Sequence, residues 1–279
     1  MGMRIGQNIT ALTAQRTLSS TKGALDRSMQ KLSSGSRINK ASDDAAGLAV
    51  SETLKASMRG LKQANRNTQD GISLIQTGES SLAEVGNMLS RMRELSIQAA
   101  SDTINDRDRE LTGREYNQLK AEIDRISETT EFNGTKLLNG EGKSFDFQVN
   151  TKNSAMVDRI SFEPSEADSS STALGVKFTD IFSKKGAQDS LEIIDGAISH
   201  VSELRAHFGS IQSRLNSTVE NINGSLESMA AANSRIRDTD IAEESSEMAK
   251  HNIMLQSGIS ILAQANQQPG QALTLLNKG

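Results

Sequence analysis

The sequence has little bulky aromatic material and no cysteine. Its 279 residues include one Tyr, seven Phe and no Trp, and the hydrophobic content is 35%. A thick globular core needs more apolar bulk than this, whereas long helices that meet along narrow seams need less. The lack of cysteine excludes disulfides and thiol chemistry. It also fits a protein that works outside the cell without needing oxidation.

Prolines and long apolar runs are scarce as well. Pro164 and Pro269 are the two prolines, so uninterrupted helices are permitted almost everywhere. No apolar run approaches the roughly 18 residues that a membrane span requires, and we expect no membrane insertion. The first residues, MGMRIGQNITALTAQ, lack the continuous apolar core of a cleavable signal peptide. A route out of the cell would therefore leave this N-terminus uncut.

The charge is unevenly distributed along the chain. The net charge is −4, which argues against nucleic-acid binding. Residues 1–40 hold seven Lys or Arg and one acid, whereas residues 237–279 hold three Lys or Arg and five acids. Either the two ends are separate solvated faces, or their opposite charges steer them together.

Residue types that serve catalysis and metal binding occur, but not at the required spacings. His200, His207 and His251 form no HExxH pair. The segment Gly142-Lys143-Ser144 lacks the first glycine of a phosphate loop. Adjacent carboxylates are typical of caps and exposed charges rather than of a catalytic cleft. We therefore expect no enzyme activity, no cofactor and no metal.

Apolar residues at intervals of three and four predict two long helices. One seam runs from Leu54 to Leu95 and the other from Leu191 to Met229. Neither helix can bury its stripe alone, and antiparallel pairing would bury both. The polar segment 101–113 between them has a turn at Asn105 and Asp106 and a candidate bend at Gly113. A shorter helix is expected from Arg107 or Glu110 to Glu128.

The middle of the chain has a different pattern. Phe, Val and Ile alternate with polar residues in 144–150 and 157–163, which predicts two strands of a small hairpin. Residues 164–173, PSEADSSSTA, are expected to form a surface loop. All seven Phe lie between 132 and 208, so the aromatic packing belongs to this region.

Each end of the chain carries a thin apolar stripe, and the C-terminal stripe follows intervals of seven until it ends near Pro269. Such stripes bury too little within one subunit to repay the entropy of ordering them. We expect two arms that are loose when free and ordered in an assembly that covers their apolar residues. The candidate packing residues are Ile5, Ile9, Leu12, Ile241, Met248, Leu255, Ile259 and Leu262.

Residues 32–52, LSSGSRINKASDDAAGLAVSE, join the N-terminal arm to the first long helix. Gly35 predicts a hinge, and Asp43 and Asp44 predict a charged turn that caps the helix after it. The small residues around Gly47 indicate a surface on which a neighbouring backbone packs closely.

Short motifs at both ends resemble those of bacterial flagellins, and the match covers almost the whole chain. Each motif is weak alone, but the set is specific because all occur in order. They are LSSG from Leu32, RIN from Arg37, DDAAG from Asp43, NRN from Asn65, DGIS from Asp70, FNG from Phe132, RI from Arg235, DTDIAE from Asp238 and LAQANQ from Leu262.

The resemblance implies a mainly α fold. Long antiparallel rods form a coiled-coil-like bundle with a small β-hairpin region, and terminal helical arms pair in the assembly. The larger outer domains of many relatives are expected to be missing. The segments are 1–44 (N-terminal arm of an inner core), 45–139 (N-terminal rod of an outer tube), 140–186 (short variable region), 187–235 (C-terminal rod) and 236–279 (C-terminal arm).

The resemblance also implies a function. The chain would be a structural subunit that polymerises with its own copies into the flagellar filament for swimming motility. It would be exported unfolded by the flagellar secretion apparatus and work outside the cell. Implied partners are an export chaperone on the C-terminal arm, the filament cap and the hook-junction proteins. Toll-like receptor 5 recognition is implied at Arg91, Leu95 and Glu115, a surface that the family also uses for subunit packing.

Two alternatives stay open at this point. A junction protein between hook and filament shares the two ends. A coiled-coil signalling or adaptor module, a different class, would not need arms that are loose in the monomer. The match through Asn65–Ser73 and Arg91–Leu95 favours a flagellin.

Overall fold

The computed structural model describes residues 7–141 and 143–276, and helices dominate this part of the chain. The mainly α class predicted from the sequence is confirmed. The helices are α1 (Ile9–Ser34), α2 (Ala45–Ala99), α3 (Asp106–Thr129), α4 (Ala155–Asp158), α5 (Lys184–Arg237) and α6 (Ile241–Leu276). The strands are β1 (Glu131–Phe132), β2 (Thr135–Lys136), β3 (Phe145–Gln148) and β4 (Arg159–Phe162).

These elements form two compact units. The arm unit comprises the described residues up to Ala56 and those from Ser228 onward, and the central unit is Ser57–Glu227. The division falls inside α2 and α5. Of the five predicted segments, the second begins where α2 begins, at Ala45, whereas the C-terminal rod was predicted as 187–235 and α5 is Lys184–Arg237. The roles assigned to those segments stay a prediction.

The core of the central unit lies between antiparallel α2 and α5. Arg93 pairs with Asp195 at 2.6 Å, and Glu79 pairs with Arg205 at 3.0 Å, so positions later in α2 meet positions earlier in α5. The apolar residues spaced by three and four lie on the facing sides, as expected for amphipathic helices. The fully buried ones include Leu82, Val85, Leu89 and Met92 of α2 and Ile194, Phe208 and Leu215 of α5.

Gly78 gives the Phe208 ring room to cross α2. A Cβ at Gly78 would overlap Cε1 of Phe208 and lie 3.2 Å from its Cζ, and that ring packs edge-on against Phe162. We expect Gly78→Ala to lower the free energy of unfolding by about 1–3 kcal/mol, because overpacking outweighs the gain in helix propensity. Urea unfolding of the monomer, followed by circular dichroism, measures this change.

Gly196 of α5 provides the matched control, because among the described residues no atom beyond its chain neighbours and its own helix backbone lies within 4 Å of a Cβ built there. Gly196→Ala should therefore stabilise the protein, by up to about 1 kcal/mol. If both alanine variants were stabilising, the close approach of Phe208 to Gly78 would not limit packing.

The predicted hairpin in the middle of the chain is confirmed. β3 and β4 pair antiparallel, with Phe145 opposite Phe162 and Phe147 opposite Ile160. Both strands are shorter than predicted, because α4 occupies the four residues before β4 and Asp158 Oδ2 accepts a hydrogen bond from the Ser154 N–H at 2.7 Å.

A second hairpin, β1–β2, turns at Asn133 and Gly134. Their φ values of 49° and 76° are both left-handed, as a two-residue hairpin turn requires. An Asn-Gly pair favours this turn, but the two strands are too short to show alternation and were not predicted.

Residues 164–173 were predicted to form a surface loop, but only four of the ten, among them Glu166 and Thr172, are exposed. Ala167, Ser169 and Ser171 are buried. The hydroxyl and the backbone N–H of Ser171 both donate to Asp124 at 2.8 Å, and the Ser169 N–H donates to the Leu138 carbonyl at 3.0 Å. Hydrogen bonds to residues distant in sequence thus hold this polar segment against the rest of the central unit.

Helix α3 passes through Gly113 without interruption, so this glycine does not end the helix. Gly113 is buried, and a Cβ there would lie 2.7 Å from Cδ1 of Phe182. The glycine therefore admits a side chain from outside α3 and does not end the helix.

Arg109 closes the turn between α2 and α3. Its side chain is 8% exposed, and its Nε donates to the Ala99 carbonyl at 2.9 Å. Its Nη2 donates to the carbonyls of Ser101 and Ile104 at 3.3 and 3.4 Å. One guanidinium thus satisfies the last carbonyl of α2 and two carbonyls of the turn, none of which has a helical donor.

The apolar stripe was predicted to end near Pro269, but helix α6 itself continues through Pro269 to Leu276. Proline has no N–H, and the carbonyl four residues earlier, that of Ala265, therefore loses its helical donor. In this structure Nδ2 of Asn8 donates to that oxygen at 2.7 Å. The carbonyl is satisfied from outside the helix.

Candidate assembly surfaces

The arm unit is built on the antiparallel pair of α1 and α6. At one end of the pair Lys31 Nζ lies 3.2 Å from Glu244 Oε2, and at the other Asn8 bonds the Ala265 carbonyl. Between them Leu18 packs on Gly258, where a Cβ would lie 3.0 Å from its Cδ1. The three contacts define one register of the two helices.

The seam between the two arms is thin. Its buried and half-buried residues recur at intervals of three and four, but many are small or polar, so little apolar area is covered. On α1 they include Ala11, Ala14, Leu18, Thr21, Leu25, Ser28 and Leu32, and on α6 Glu244, Met248, His251, Leu255, Gly258, Leu262 and Ala265; Ala24, Lys31, Ser245 and Glu247 beside them are half-buried too.

Glu244 is the charged member of this seam and pairs with the N-terminal arm. Its burial works against its charged form, but hydrogen bonds with Ser28 and Lys31 outweigh this and hold the pKa of Glu244 below its ordinary value. An acid of the C-terminal end therefore does meet a base of the N-terminal end, as the charge distribution suggested.

A second group of apolar side chains lies on the arms and remains exposed. We call Ile9 and Leu12 of α1 with Ile253, Met254 and Ile261 of α6 the outer stripe; their exposed fractions run from 45 to 65%. At 100° per residue Ile9, Leu12 and Ile253 lie opposite the seam on their own helices, and Met254 and Ile261 lie on one flank of α6. Met29, Ile241 and Ile259 are exposed as well, so the arms leave apolar area uncovered both opposite the seam and beside it.

The eight packing residues predicted from the sequence are divided by this arrangement. Met248, Leu255 and Leu262 lie in the seam, whereas Ile9, Leu12, Ile241 and Ile259 are more than half exposed, and Ile5 lies outside the described residues. Their contact with other subunits stays a prediction. The search for a single stripe missed Ile253, Met254 and Ile261, although a second set of apolar residues beside the heptad is visible in the sequence.

The connection between α1 and α2 is bonded to the connection between α5 and α6. Ser36 and Asp238 form an antiparallel bridge, with the Arg37 N–H donating to the Arg237 carbonyl at 2.6 Å and the Thr239 N–H to the Gly35 carbonyl at 3.1 Å. Gly35 ends α1 with a φ of 66°, a left-handed conformation that favours glycine. The predicted hinge is thus also a paired segment.

Asp43 and Asp44 have different roles in this connection. Asp44 Oδ1 accepts a hydrogen bond from the Gly47 N–H at 2.8 Å and caps the first turn of α2. Asp43 Oδ2 accepts from the N–H groups of Lys40 and Asn39, which hold the pKa of Asp43 below its ordinary value. A Cβ at Gly47 would lie 2.8 Å from Ile38 Cδ1, so a larger residue there would have to displace the Ile38 side chain.

The three residues of the predicted receptor surface do not all reach the surface. Arg91 Nε lies 2.9 Å from Glu115 Oε1, and both side chains are about half exposed. Hydrogen bonds to Glu115 and then Glu94 raise the pKa of Arg91. Leu95 is 1% exposed and packs in the core with Met92, so it cannot contact a partner directly. Position 95 continues the apolar face of α2.

Comparison with known proteins identifies the family. The family model described as the bacterial flagellin N-terminal helical region matches residues 5–143, and the C-terminal helical region matches residues 191–276. The flagellin of Halalkalibacterium halodurans is 42% identical over 274 residues, which cover 98% of this chain and all of that protein. The chain belongs to the bacterial flagellin family. It is a structural subunit of the flagellar filament.

Two further relatives support the same conclusion. The flagellin of Bacillus subtilis is 42% identical over 304 residues, covering 98% of this chain and all of that protein. The crystal structure of Bacillus cereus flagellin is similar with a TM-score of 0.51 and 35% identity, over 60% of this chain and 94% of that one. Full-length matches to flagellins favour the filament subunit over a junction protein or an adaptor module.

The short length of the chain is that of a small flagellin, since the H. halodurans protein is covered completely by 274 residues. Among the described residues, no helix is both long and apolar enough to cross a membrane.

Proposed function

We propose that the arm pair of α1 and α6 is the part of this flagellin that joins neighbouring subunits into the inner tube of the filament. The outer stripe carries the proposal, because its five apolar side chains remain exposed after the arms have paired. Burial of a large aliphatic side chain contributes roughly 1.5–3 kcal/mol, so a neighbour that covers the stripe stabilises the assembly substantially.

The seam and the outer stripe together explain why the arms would order on assembly. The seam alone covers little apolar area, and the cost of fixing the backbone of two long helices is large. A neighbouring copy supplies the missing burial, so the free energy of ordering is coupled to polymerisation. The central unit, with its own buried core, needs no such partner.

Limited proteolysis of monomer and filament tests this coupling. In free monomer we expect α1 and α6 to be cut first while the central unit Ser57–Glu227 survives, and we expect polymerisation to protect both arms. Mass spectrometry of the fragments locates the cuts. Arms as resistant as the central unit in free monomer would contradict coupled ordering.

The same geometry supports the further partners implied by the family. Before the arms pair, Met248, Leu255 and Leu262 form a free apolar heptad that suits an export chaperone, and the filament cap and hook-junction proteins would meet the same arms. Export in the unfolded state would deliver the subunits to the outside of the cell, where the filament grows.

Receptor recognition of the Toll-like receptor 5 type would use Arg91 and Glu115, with Leu95 supporting α2 from the core. The role of this chain is structural rather than catalytic.

A further inference from the structure

Asn8 makes two different kinds of hydrogen bond with its side-chain amide. It precedes α1, and its Oδ1 accepts from the Ala11 N–H at 3.0 Å and from the Thr10 hydroxyl at 2.6 Å. Its Nδ2 donates to the Ala265 carbonyl of α6 at 2.7 Å. The oxygen therefore caps the start of α1, while the nitrogen binds the other arm.

The acceptor on α6 is the one carbonyl whose helical donor is removed by Pro269. Inside an α-helix each carbonyl accepts from the N–H four residues later, and proline has none. Ala265 is 7% exposed, so solvent has little access to replace the missing bond. A buried acceptor without a donor is costly, and Asn8 supplies the donor.

We propose that Asn8 and Pro269 form a matched pair that sets the register of the two arms for assembly. Carbonyls of α6 before Ala265 already accept from their own helix, so a slipped α1 would find no acceptor for the Asn8 nitrogen. A slipped α6 would leave the Ala265 carbonyl without a donor. Only the observed register satisfies both groups, and the start of α1 depends on the position of α6.

The other two register contacts are less selective. Lys31 reaches Glu244 with a long, flexible side chain that tolerates a shift of one position, and Leu18 packs on Gly258 through apolar contact alone. The Asn8 bond is directional and has a single acceptor. Asn8 is therefore a positioning residue of the arm pair, and this inference rests on the proposed role of that pair in polymerisation.

A double-mutant cycle in the full chain tests the pairing. Asn8→Asp keeps an N-cap oxygen, because Asp and Asn cap helices about equally well, but removes the amide donor. Pro269→Ala restores the helical N–H for the Ala265 carbonyl and makes the Asn8 donor unnecessary. The critical concentration for filament formation is measured by sedimentation for wild type, both single variants and the double variant.

We expect Asn8→Asp to raise the critical concentration about tenfold in the Pro269 chain, because one buried acceptor loses its donor. In the Pro269→Ala chain the same change should raise it less than about twofold, since the restored helical bond satisfies that acceptor. Asn105→Asp is the matched control: Asn105 caps α3 through its Oδ1 at 2.8 Å from the Asp108 N–H, and its Nδ2 donates to no acceptor in the described part of the chain. That control should leave the critical concentration unchanged.

Each remaining outcome overturns the proposal. An equal effect of Asn8→Asp in both backgrounds would show that Pro269 is not its partner, and an effect of Asn105→Asp as large as that of Asn8→Asp would attribute the change to charge. Pro269→Ala alone should still assemble, because the restored helical N–H makes the Asn8 donor unnecessary. Loss of assembly by this variant would therefore contradict the proposal. If wild type polymerises and Asn8→Asp matches it, the register pair fails while the assembly role of the arms stands. If limited proteolysis still cut the arms of the wild type after polymerisation, that result would instead contradict the proposed function.

Discussion

Replacing Arg109 with methionine is expected to lower the free energy of unfolding of the central unit by about 3 kcal/mol or more. Methionine fills similar space, but it leaves the carbonyls of Ala99, Ser101 and Ile104 without their donor. Each of them lies at a helix end or in a turn, where the backbone offers no replacement. Chemical unfolding of the monomer by urea, followed by circular dichroism, measures the loss.

Variants of two neighbouring residues distinguish the loss of the hydrogen bonds to the carbonyls from the loss of a charge. Arg107 is exposed and has no ion pair among the described residues, so Arg107→Met should change stability by less than about 0.5 kcal/mol. Asp106 contacts Arg109 at 2.6 Å but is 98% exposed, and Asp106→Asn should cost little. A loss for Arg109→Met no larger than that for Arg107→Met would show that the turn does not depend on the guanidinium.

Changing Ile253 and Ile261 together to serine is expected to raise the critical concentration for filament formation about a hundredfold or more. Each isoleucine contributes roughly 1.5–3 kcal/mol when a neighbouring subunit buries it, and about 2.7 kcal/mol corresponds to a hundredfold change. Both side chains are more than half exposed in the arm pair, so the fold of the single subunit should keep its stability. Sedimentation after polymerisation gives the critical concentration.

Two comparisons make this result specific to the outer stripe. Val157 of α4 is 72% exposed in the central unit, and Val157→Ser should leave assembly nearly unchanged. Leu255 and Leu262 lie in the seam instead, so their change to alanine should weaken the pairing of α1 with α6 by about 2 kcal/mol each, seen as faster amide exchange of α1 within filaments. Normal polymerisation of the Ile253/Ile261 variant would contradict the assembly role of the outer stripe.

Local patterns in the sequence specified the helices and turns. In α2 and α5, apolar residues at intervals of three and four indicate which side of the helix is buried. Alternation around Phe145 and Phe147 does the same for the strand. The Asn133-Gly134 pair reports a turn because both positions need left-handed φ values. Each of these signals depends on residues a few positions apart, which is why they are visible without the tertiary structure. The flagellin motifs at both ends then implied the family.

Tertiary structure alone decided which partner each apolar face meets. Periodicity does not say whether Leu95 faces the core or a receptor, nor which of two apolar sets on α6 packs on α1, because both have helical spacing. Glycine and proline weaken helices, yet α3 continues through Gly113 and α6 through Pro269. The Phe182 ring packs against Gly113, and Asn8 binds the carbonyl that Pro269 leaves without a donor. A bond between Asn8 and the Ala265 carbonyl has no local signature, since it depends on two helix ends that meet only after the chain has folded.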